Sequence, residues 1–501
     1  MQDKVSKALK RVYEISKKNG CPIIRTKQID REDRALLLRT NWLQEIIKGW
    51  YMLTRPDVLP GDSTHWYANF WDFLRFYLST KYGRNYCLSA ENSLELLLHS
   101  TIVPKQVIVI TKKAGGRVQA LPFDTSVLVY ADPENLPIEK AEVRGLQVMT
   151  LPYAICRVTP TFFEKNPQDA ELALTSMYDL GDLLDVIVKY EFKRPAARLS
   201  SAYRFLGNES YAKAIETILA DFGVRIKEEN PLHITPLITG SRTLSPYYGR
   251  IITLWNSMRE EIVSLYLANS GVAHPELAID ELYVQDAYNS LSIEGYVVDE
   301  ELIERVKDGL WNPEHDREDK NARNVLAARG YFEAHQEVKK TIQNIIDGKN
   351  AGDAIADDLS KWHYALFLPS VQTGILQKKD LFGYRKGPVY IKNSRHVPLP
   401  RDALLDAMDA LFTCLRKEPH PAVRAILGHY IFVYIHPYID GNGRLARLIM
   451  NALFVAGGYP WTIIRVKNRA KYMQALASVD QEKYISQLAQ FIINEQFGVN
   501  P

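Results

Sequence analysis

The chain has 501 residues, 46% hydrophobic and 24% charged, with a formal net charge of +3. That length predicts two to four domains with apolar material for more than one core. The composition is that of an ordinary soluble globular protein, and so small a net charge does not by itself require a nucleic-acid partner.

The charge is uneven, because residues 1–60 hold 13 Lys/Arg against 7 Asp/Glu. The four cysteines, Cys21, Cys87, Cys156 and Cys414, form no CxxC pair. That argues against a zinc site or a disulfide framework, and predicts reduced thiols in a cytoplasmic protein. Met1-Gln2-Asp3-Lys4 lacks the apolar core of a signal peptide. No run of about 18 apolar residues occurs, so no membrane partner is expected.

Residues 1–58 read as a small helical module. Val5, Ala8, Leu9, Val12 and Tyr13 recur at helical spacing, followed by Leu36, Leu37, Leu38, Trp42 and Leu43. Lys48-Gly49 then suits a tight turn between short strands. Helices followed by a hairpin predict a winged helix-turn-helix. Lys7, Lys10, Arg11, Lys17, Lys18, Arg25, Lys27, Arg31, Arg34 and Arg39 could face DNA or a protein partner. The order of a basic helix and a W-L-x-x-I-x-x-G-W-Y wing resembles AbiEi-type antitoxins over roughly 40 residues.

Residues 59–225 look mixed, and carry no catalytic motif. Val107–Thr111, Ser126–Tyr130 and Gln147–Leu151 are strand-like, whereas Ala170–Tyr190 and Tyr211–Phe222 are helical by pattern. This region also resembles the domain after the winged helix in AbiEi-type proteins.

Residues 226–501 are mostly helical by pattern. Helices are expected at Tyr248–Leu267, Glu276–Glu294, Asp299–Lys307, Asn321–Asp347, Leu359–Leu366, Arg401–Leu415, Ala422–Ile435 and Gly443–Val455. Asn393-Ser394, inside Val389–Pro398, reads as the turn of a hairpin. The fold class is therefore mainly α, a C-terminal helical bundle with a β-hairpin, preceded by a winged-helix module and a mixed α/β domain.

The chemistry concentrates in Ile435-His436-Pro437-Tyr438-Ile439-Asp440-Gly441-Asn442-Gly443-Arg444-Leu445-Ala446-Arg447. The segment before it is apolar almost all round, as a buried helix is. Pro437 disfavours helix at His436, so this helix delivers an imidazole at its end. Gly441 and Gly443 can take positive φ in the turn after it. A glycine-containing turn that opens a helix offers unpaired N–H groups to an anion. Arg444 and Arg447 share its first turn, and their forks suit phosphate. Asp440 adds a hard oxygen for Mg²⁺ shared with a diphosphate. A neutral His436 beside them could accept a proton from an attacking hydroxyl. Taken alone His436 is a helix-end cap; in this company it points to phosphoryl or nucleotidyl transfer. No Walker-type motif is present. His429 reads as a core histidine, and Tyr472 either stacks on adenine or belongs to the core.

The stretch is identified as a Fic signature, H-P-[FY]-x-[DE]-G-N-G-R-x-x-R, at every defined position, with Tyr438 where Phe is commoner. The resemblance spans about 270 C-terminal residues. It implies His436 as base, Asp440 as metal ligand, and Gly441, Asn442, Gly443, Arg444, Arg447 and Tyr472 around ATP. AMP would pass from Mg-ATP to a Ser, Thr or Tyr hydroxyl of a target protein or of the chain itself. Val389, Tyr390, Ile391 and Val397 would belong to a flap that holds target backbone by strand addition.

Ser290 and Glu294 stand four apart on one predicted helix face, with Gly295 just past its end. Ser290-x-x-x-Glu294-Gly295 resembles the inhibitory pattern that precedes the Fic core in class II members. The resemblance implies that Glu294 pairs with Arg447 where a γ-phosphate would lie. Glu294 could also orient water for AMP removal. Alternatives are a different nucleotide donor, or a DNA-binding regulator whose Fic region senses ATP. A DNA module joined to an inhibited Fic region suggests a bacterial, toxin–antitoxin-like arrangement, and a second copy of the chain is a further expected partner.

Overall fold

A computed structural model describes residues 2–58, 61–113, 116–177, 179–224, 231–232, 245–268, 279–309 and 322–498. The helix starts expected at Glu276 and Asn321, and the boundary at 225/226, lie outside them. The chain forms two compact units, Met1–Pro246 with Tyr390–Val397, and Tyr247–Val389 with Pro398–Pro501.

The first unit opens with α1 (Gln2–Asn19), β1 (Ile23–Arg25), α2 (Arg31–Arg39), β2 (Leu43–Ile47) and β3 (Trp50–Leu53). The strands lie in the order β1-β3-β2, and Gly49 turns the hairpin at φ 85. Period-two alternation gives the little sheet two apolar faces. Ile24, Leu43 and Tyr51 pack with Ala8, Val12 and Leu37. Ile23, Trp50 and Met52 face the other way, onto Trp66, Phe70 and Phe73. Those aromatics lie on α3 (Thr64–Tyr82), a helix whose bulky residues hid it from pattern reading. Residues 1–58 therefore share a core with the region after them.

Next come β4 (Tyr86–Leu88), α4 (Ala90–Leu97), β5 (Gln106–Thr111), β6 (Arg117–Leu121), β7 (Thr125–Ala131), β8 (Ala141–Val143) and β9 (Leu146–Val148). The four-stranded order is β4-β5-β7-β6, with β5 and β7 parallel. The strand expected to reach Leu151 stops at Val148, because Leu151-Pro152 opens α5 (Leu151–Arg157), where proline suits a first turn. Helices α6 (Pro160–Lys165), α7 (Pro167–Thr175), α8 (Leu180–Lys189), α9 (Lys193–Phe205) and α10 (Glu209–Asp221) complete this unit. The single helix expected over Ala170–Tyr190 is two, because Asp179 caps a new start through the Gly181 N–H.

Residues 390–397 do not form the expected self-paired hairpin. Ile391 to Ser394 makes a turn, with Asn393 at φ 56. The returning arm pairs elsewhere, as an antiparallel bridge joins His396 to Ile102. Val103 N–H donates to Arg395 O, and Val397 N–H to Thr101 O. The Arg395 guanidinium also donates to Val103 O at 2.7 and 3.0 Å. Asn393 accepts from Ser63 N and donates its own N–H to Thr64 Oγ1.

The second unit holds α11 (Pro246–Ala268), α12 (Ile279–Ile293), α13 (Glu300–Lys307), α14 (Ala322–Ile346), α15 (Ala351–Gln372), α16 (Leu404–Lys417), α17 (Pro421–Ile435), α18 (Asn442–Ala456), α19 (Arg469–Glu482) and α20 (Ser486–Phe497). One continuous core joins them. Gly330 lets α14 meet α15 closely, since a Cβ there would lie 1.9 Å from Leu366 O. Gly428 of α17 similarly sits against Leu415, Ile449 and Leu453. Among the described residues, no helix is long and apolar enough to cross a membrane.

His335 is fully buried beside Tyr283 and Trp461, and neither ring nitrogen has a hydrogen-bond partner among the described residues. Burial pushes its pKa down to about 4 from 6.5. The unfolded chain thus binds a proton first as pH falls, and this contribution, full above pH 6.5, is lost progressively toward pH 4. His335→Phe keeps the shape and removes two unsatisfied polar atoms. It is expected to raise unfolding free energy by about 1–3 kcal/mol and to flatten its fall between pH 6.5 and 4, read by urea titration at several pH values.

Candidate active site

Helix α17 begins with Pro421 and is buried along almost its whole length. Pro437 ends it, leaving His436 as the C-cap in the left-handed region at φ 53, ψ 60. The half-buried imidazole lies with Nδ1 3.2 Å from Val433 O. A carbonyl can only accept, so this contact places a proton on Nδ1, and in the neutral ring the lone pair is then on Nε2. That is the tautomer a proton acceptor needs.

The loop to α18 is clamped by its own side chains. The Asn442 amide accepts from Tyr438 N at 2.9 Å and donates to Tyr438 O at 2.8 Å. Gly441 turns the chain at φ 86. Asp440, 61% exposed, accepts from Gly441 N and lies 3.4 Å from Arg444 Nη2. The Arg444 guanidinium is buried between Tyr296 and Phe367, about 5 Å from each ring. His363 stacks on Tyr438 with centroids 3.9 Å apart, and burial pushes its pKa down to about 4. Aromatic surfaces thus fix the loop that carries Asp440 and the first turn of α18.

Gly443 does not take the positive φ expected of it; it is helical. Its missing side chain makes room, since a Cβ would lie 2.2 Å from Glu294 Oε1. The Glu294 carboxylate therefore rests against the N-terminal turn of α18, where unpaired N–H groups favour an anion. Arg447 Nη2 donates to it at 2.7 Å, and also to Ser290 O, while Nε donates to Ser290 Oγ at 2.9 Å. Arg447 is 3% exposed and Glu294 33%. Gly295, at φ 86, ends α12 and turns Tyr296 toward Arg444. Beneath them Tyr331 donates to the buried Asp286 at 2.6 Å, and Arg469 Nε donates to Ile293 O, so α12 is held at two further points.

Residues 353–454 match the family model described as "Fic/DOC family". The segment is a Fic domain. Curated relatives named "Protein adenylyltransferase Fic" include one from Nematostella vectensis, 28% identical over 256 residues, covering 49% of this chain and 55% of the relative. One from Drosophila ananassae is 41% identical over 97 residues, 19% of each chain. The chain spans about half the length of the Nematostella relative. A solved fragment of Fic-1 from C. elegans is 16% identical with a TM-score of 0.37, covering 67% of this chain and 88% of that one. A Fic family protein from Desulfovibrio desulfuricans G20 is 21% identical with a TM-score of 0.33, covering 52% and 74%.

The fold brings together His436, Asp440 and Arg444 around one helix start of the Fic domain, and Arg447 with Ser290 and Glu294 of the preceding α12. It does not open Tyr472 to a nucleotide. That ring is 1% exposed, stacked on Phe491, with its hydroxyl 2.7 Å from His429 Nε2. Both are core residues, as expected for His429, whose pKa burial lowers to about 3. His363, Phe367, Tyr296 and Arg385 were missed, because spacing carries no signal for contacts made across helices. Among the described residues, no group of three or more His, Cys, Asp or Glu could hold a metal alone. One exposed carboxylate beside an anion site instead suits Mg²⁺ that keeps waters and is shared with phosphates.

A methyl at Gly441 would meet left-handed strain and the Phe367 ring at 3.1 Å. Gly441→Ala is expected to cost about 1–2 kcal/mol, measured as a shift in the urea midpoint at unchanged m-value.

Proposed function

We propose that this chain is an autoinhibited protein adenylyltransferase that moves AMP from Mg-ATP to a Ser, Thr or Tyr hydroxyl of a target protein or of itself. The observation that carries this reading is the Glu294 carboxylate, held by Arg447 and lodged against Gly443 of the Fic domain. An anion already stands where a terminal phosphate would be bound. In the proposed reaction His436 Nε2 takes the hydroxyl proton, and the oxygen attacks the α-phosphorus. The bond to the bridging oxygen breaks, and pyrophosphate leaves. The first-turn N–H groups of α18, Arg444 and, once Glu294 has moved, Arg447 offset the triphosphate charge. Mg²⁺, when bound at Asp440, would neutralise the leaving diphosphate. The names of the animal relatives support adenylyl transfer. Val389, Tyr390 and Ile391 would serve as the target-docking arm, since the Val397 arm is already paired with Thr101.

Glu294→Gly is expected to raise incorporation of label from α-labelled ATP about 10-fold or more, because it frees the buried Arg447 guanidinium for the triphosphate. Ser290→Ala removes one hydrogen bond worth about 1 kcal/mol and should give a smaller rise. His436→Ala in the Glu294→Gly background should lower the rate about 10²–10⁴-fold. An unchanged rate for Glu294→Gly removes the brake, and equal labelling without His436 removes the enzyme. A parallel panel of labelled nucleotides identifies the donor.

We infer further that residues 1–58 are a winged helix that meets DNA. Their helix–strand–helix–hairpin order supports this, with Arg31, Arg39 and the turn residue Lys48 exposed. Arg11 is held by Asp33 at 2.7 Å, and Arg34 lies over Tyr51, so these two cations serve the module itself. Retardation of a DNA duplex by the full chain should weaken steeply with salt. Replacing Arg31 and Arg39 should reduce the log–log slope by about 0.9 for each phosphate no longer neutralised. Salt-independent or absent retardation excludes the DNA reading.

A further inference from the structure

Arg385 is a buried cation, 3% exposed, with no carboxylate at ion-pair distance among the described residues. Burial alone lowers its pKa. Its whole fork goes to backbone carbonyls. Nε donates to His436 O at 2.7 Å, Nη1 to Gly387 O at 3.1 Å, and Nη2 to Leu399 O. Its own backbone N–H donates to Pro437 O at 2.9 Å. One residue therefore holds two consecutive carbonyls of the turn that carries the imidazole.

Those carbonyls need holding. The last C=O groups of a helix have no partner inside it, and they form the negative end of its dipole. A cation at this end of α17 satisfies both. His436 is also a non-glycine residue in the left-handed region, a conformation that costs about 1–2 kcal/mol and persists only when its surroundings fix it. Fixing the His436 carbonyl fixes the peptide plane, and with it the direction of the side chain relative to the Asp440 loop.

We infer that Arg385 is a positioning residue for His436. It acts through the backbone of the Pro437 turn rather than by touching substrate. The inference rests on the adenylyltransferase reading for its kinetic arm only. Lysine cannot replace arginine here, because one ammonium cannot span three carbonyls set by a planar fork.

The experiment uses the full chain with Glu294→Gly as parent, and adds Arg385→Ala or Arg385→Lys. The rate at saturating ATP is expected to fall roughly 10²-fold in both, the effect of about a 1 Å misplacement of a reacting group. The ATP concentration for half the maximal rate should stay within about twofold, because the phosphate contacts are untouched. Guanidinium ion should restore part of the rate to Arg385→Ala and none to Arg385→Lys. An unchanged rate overturns the inference. So does a loss of rate accompanied by weaker ATP dependence and no guanidinium rescue, the pattern of a merely structural role. Hydrogen exchange supplies an arm independent of catalysis. Residues 436–441 should exchange faster in Arg385→Ala, with α17 and α18 unchanged. Equal exchange overturns the positioning role even where the parent transfers no AMP, and that lack of transfer would itself count against the proposed function.

Discussion

The Arg447 guanidinium is almost entirely removed from water, and it is spent on one helix. It holds the Ser290 hydroxyl, the Ser290 carbonyl and the Glu294 carboxylate. Removing the anion from a cation this deeply buried and already paired costs about 3–5 kcal/mol. Two anions suit the place: the carboxylate of α12, or a phosphate brought by a nucleotide. The start of α18 adds the same preference from its N–H groups. In the proposed reading, the architecture around the Fic motif makes these two anions mutually exclusive.

The surrounding packing makes that competition sharp rather than diffuse. Gly443 lets the carboxylate come within a distance that any side chain would forbid. Tyr331 with Asp286 ties α12 two turns before Glu294, and Arg469 holds the carbonyl of Ile293, the residue next to it. Displacing Glu294 therefore need not detach the helix, since its side chain can swing away while the backbone stays docked. On the other side of the motif, His363, Phe367 and Tyr296 hold the loop and Arg444 by ring contacts. The imidazole thus stands beside a helix start whose parts have little freedom left to lose.

Much of this is legible in the sequence. The stretch from His436 to Arg447 is local, so spacing alone places its imidazole at a helix end and its arginines on one turn. Spacing puts Ser290 and Glu294 on one helix face, whereas their pairing with Arg447 is implied by the resemblance to the inhibitory pattern and not by periodicity. Contacts made across the bundle carry no such signal. His363 and Arg385 reach the loop only through tertiary packing, and Tyr472, plausible as an adenine platform by position, is turned inward to His429. The hairpin at 390–397 failed for a related reason: its returning arm found a backbone partner at Thr101–Val103, far earlier in the chain. Gly443 shows a subtler gap, since sequence can mark a glycine without revealing whether it supplies dihedral freedom or space.

In the proposed enzyme a triphosphate and the Glu294 carboxylate compete for Arg447. This competition is tested most directly by crystal structures of the unaltered chain and of Glu294→Gly, each soaked with a non-hydrolysable Mg-ATP analogue. In Glu294→Gly the terminal phosphate is expected on Arg447, with the α-phosphate facing His436. In the unaltered chain, Glu294 should keep Arg447 and the terminal phosphate should be displaced from it. A terminal phosphate on Arg447 with Glu294 still in place, or a nucleotide bound away from the first turn of α18 in both, would contradict it.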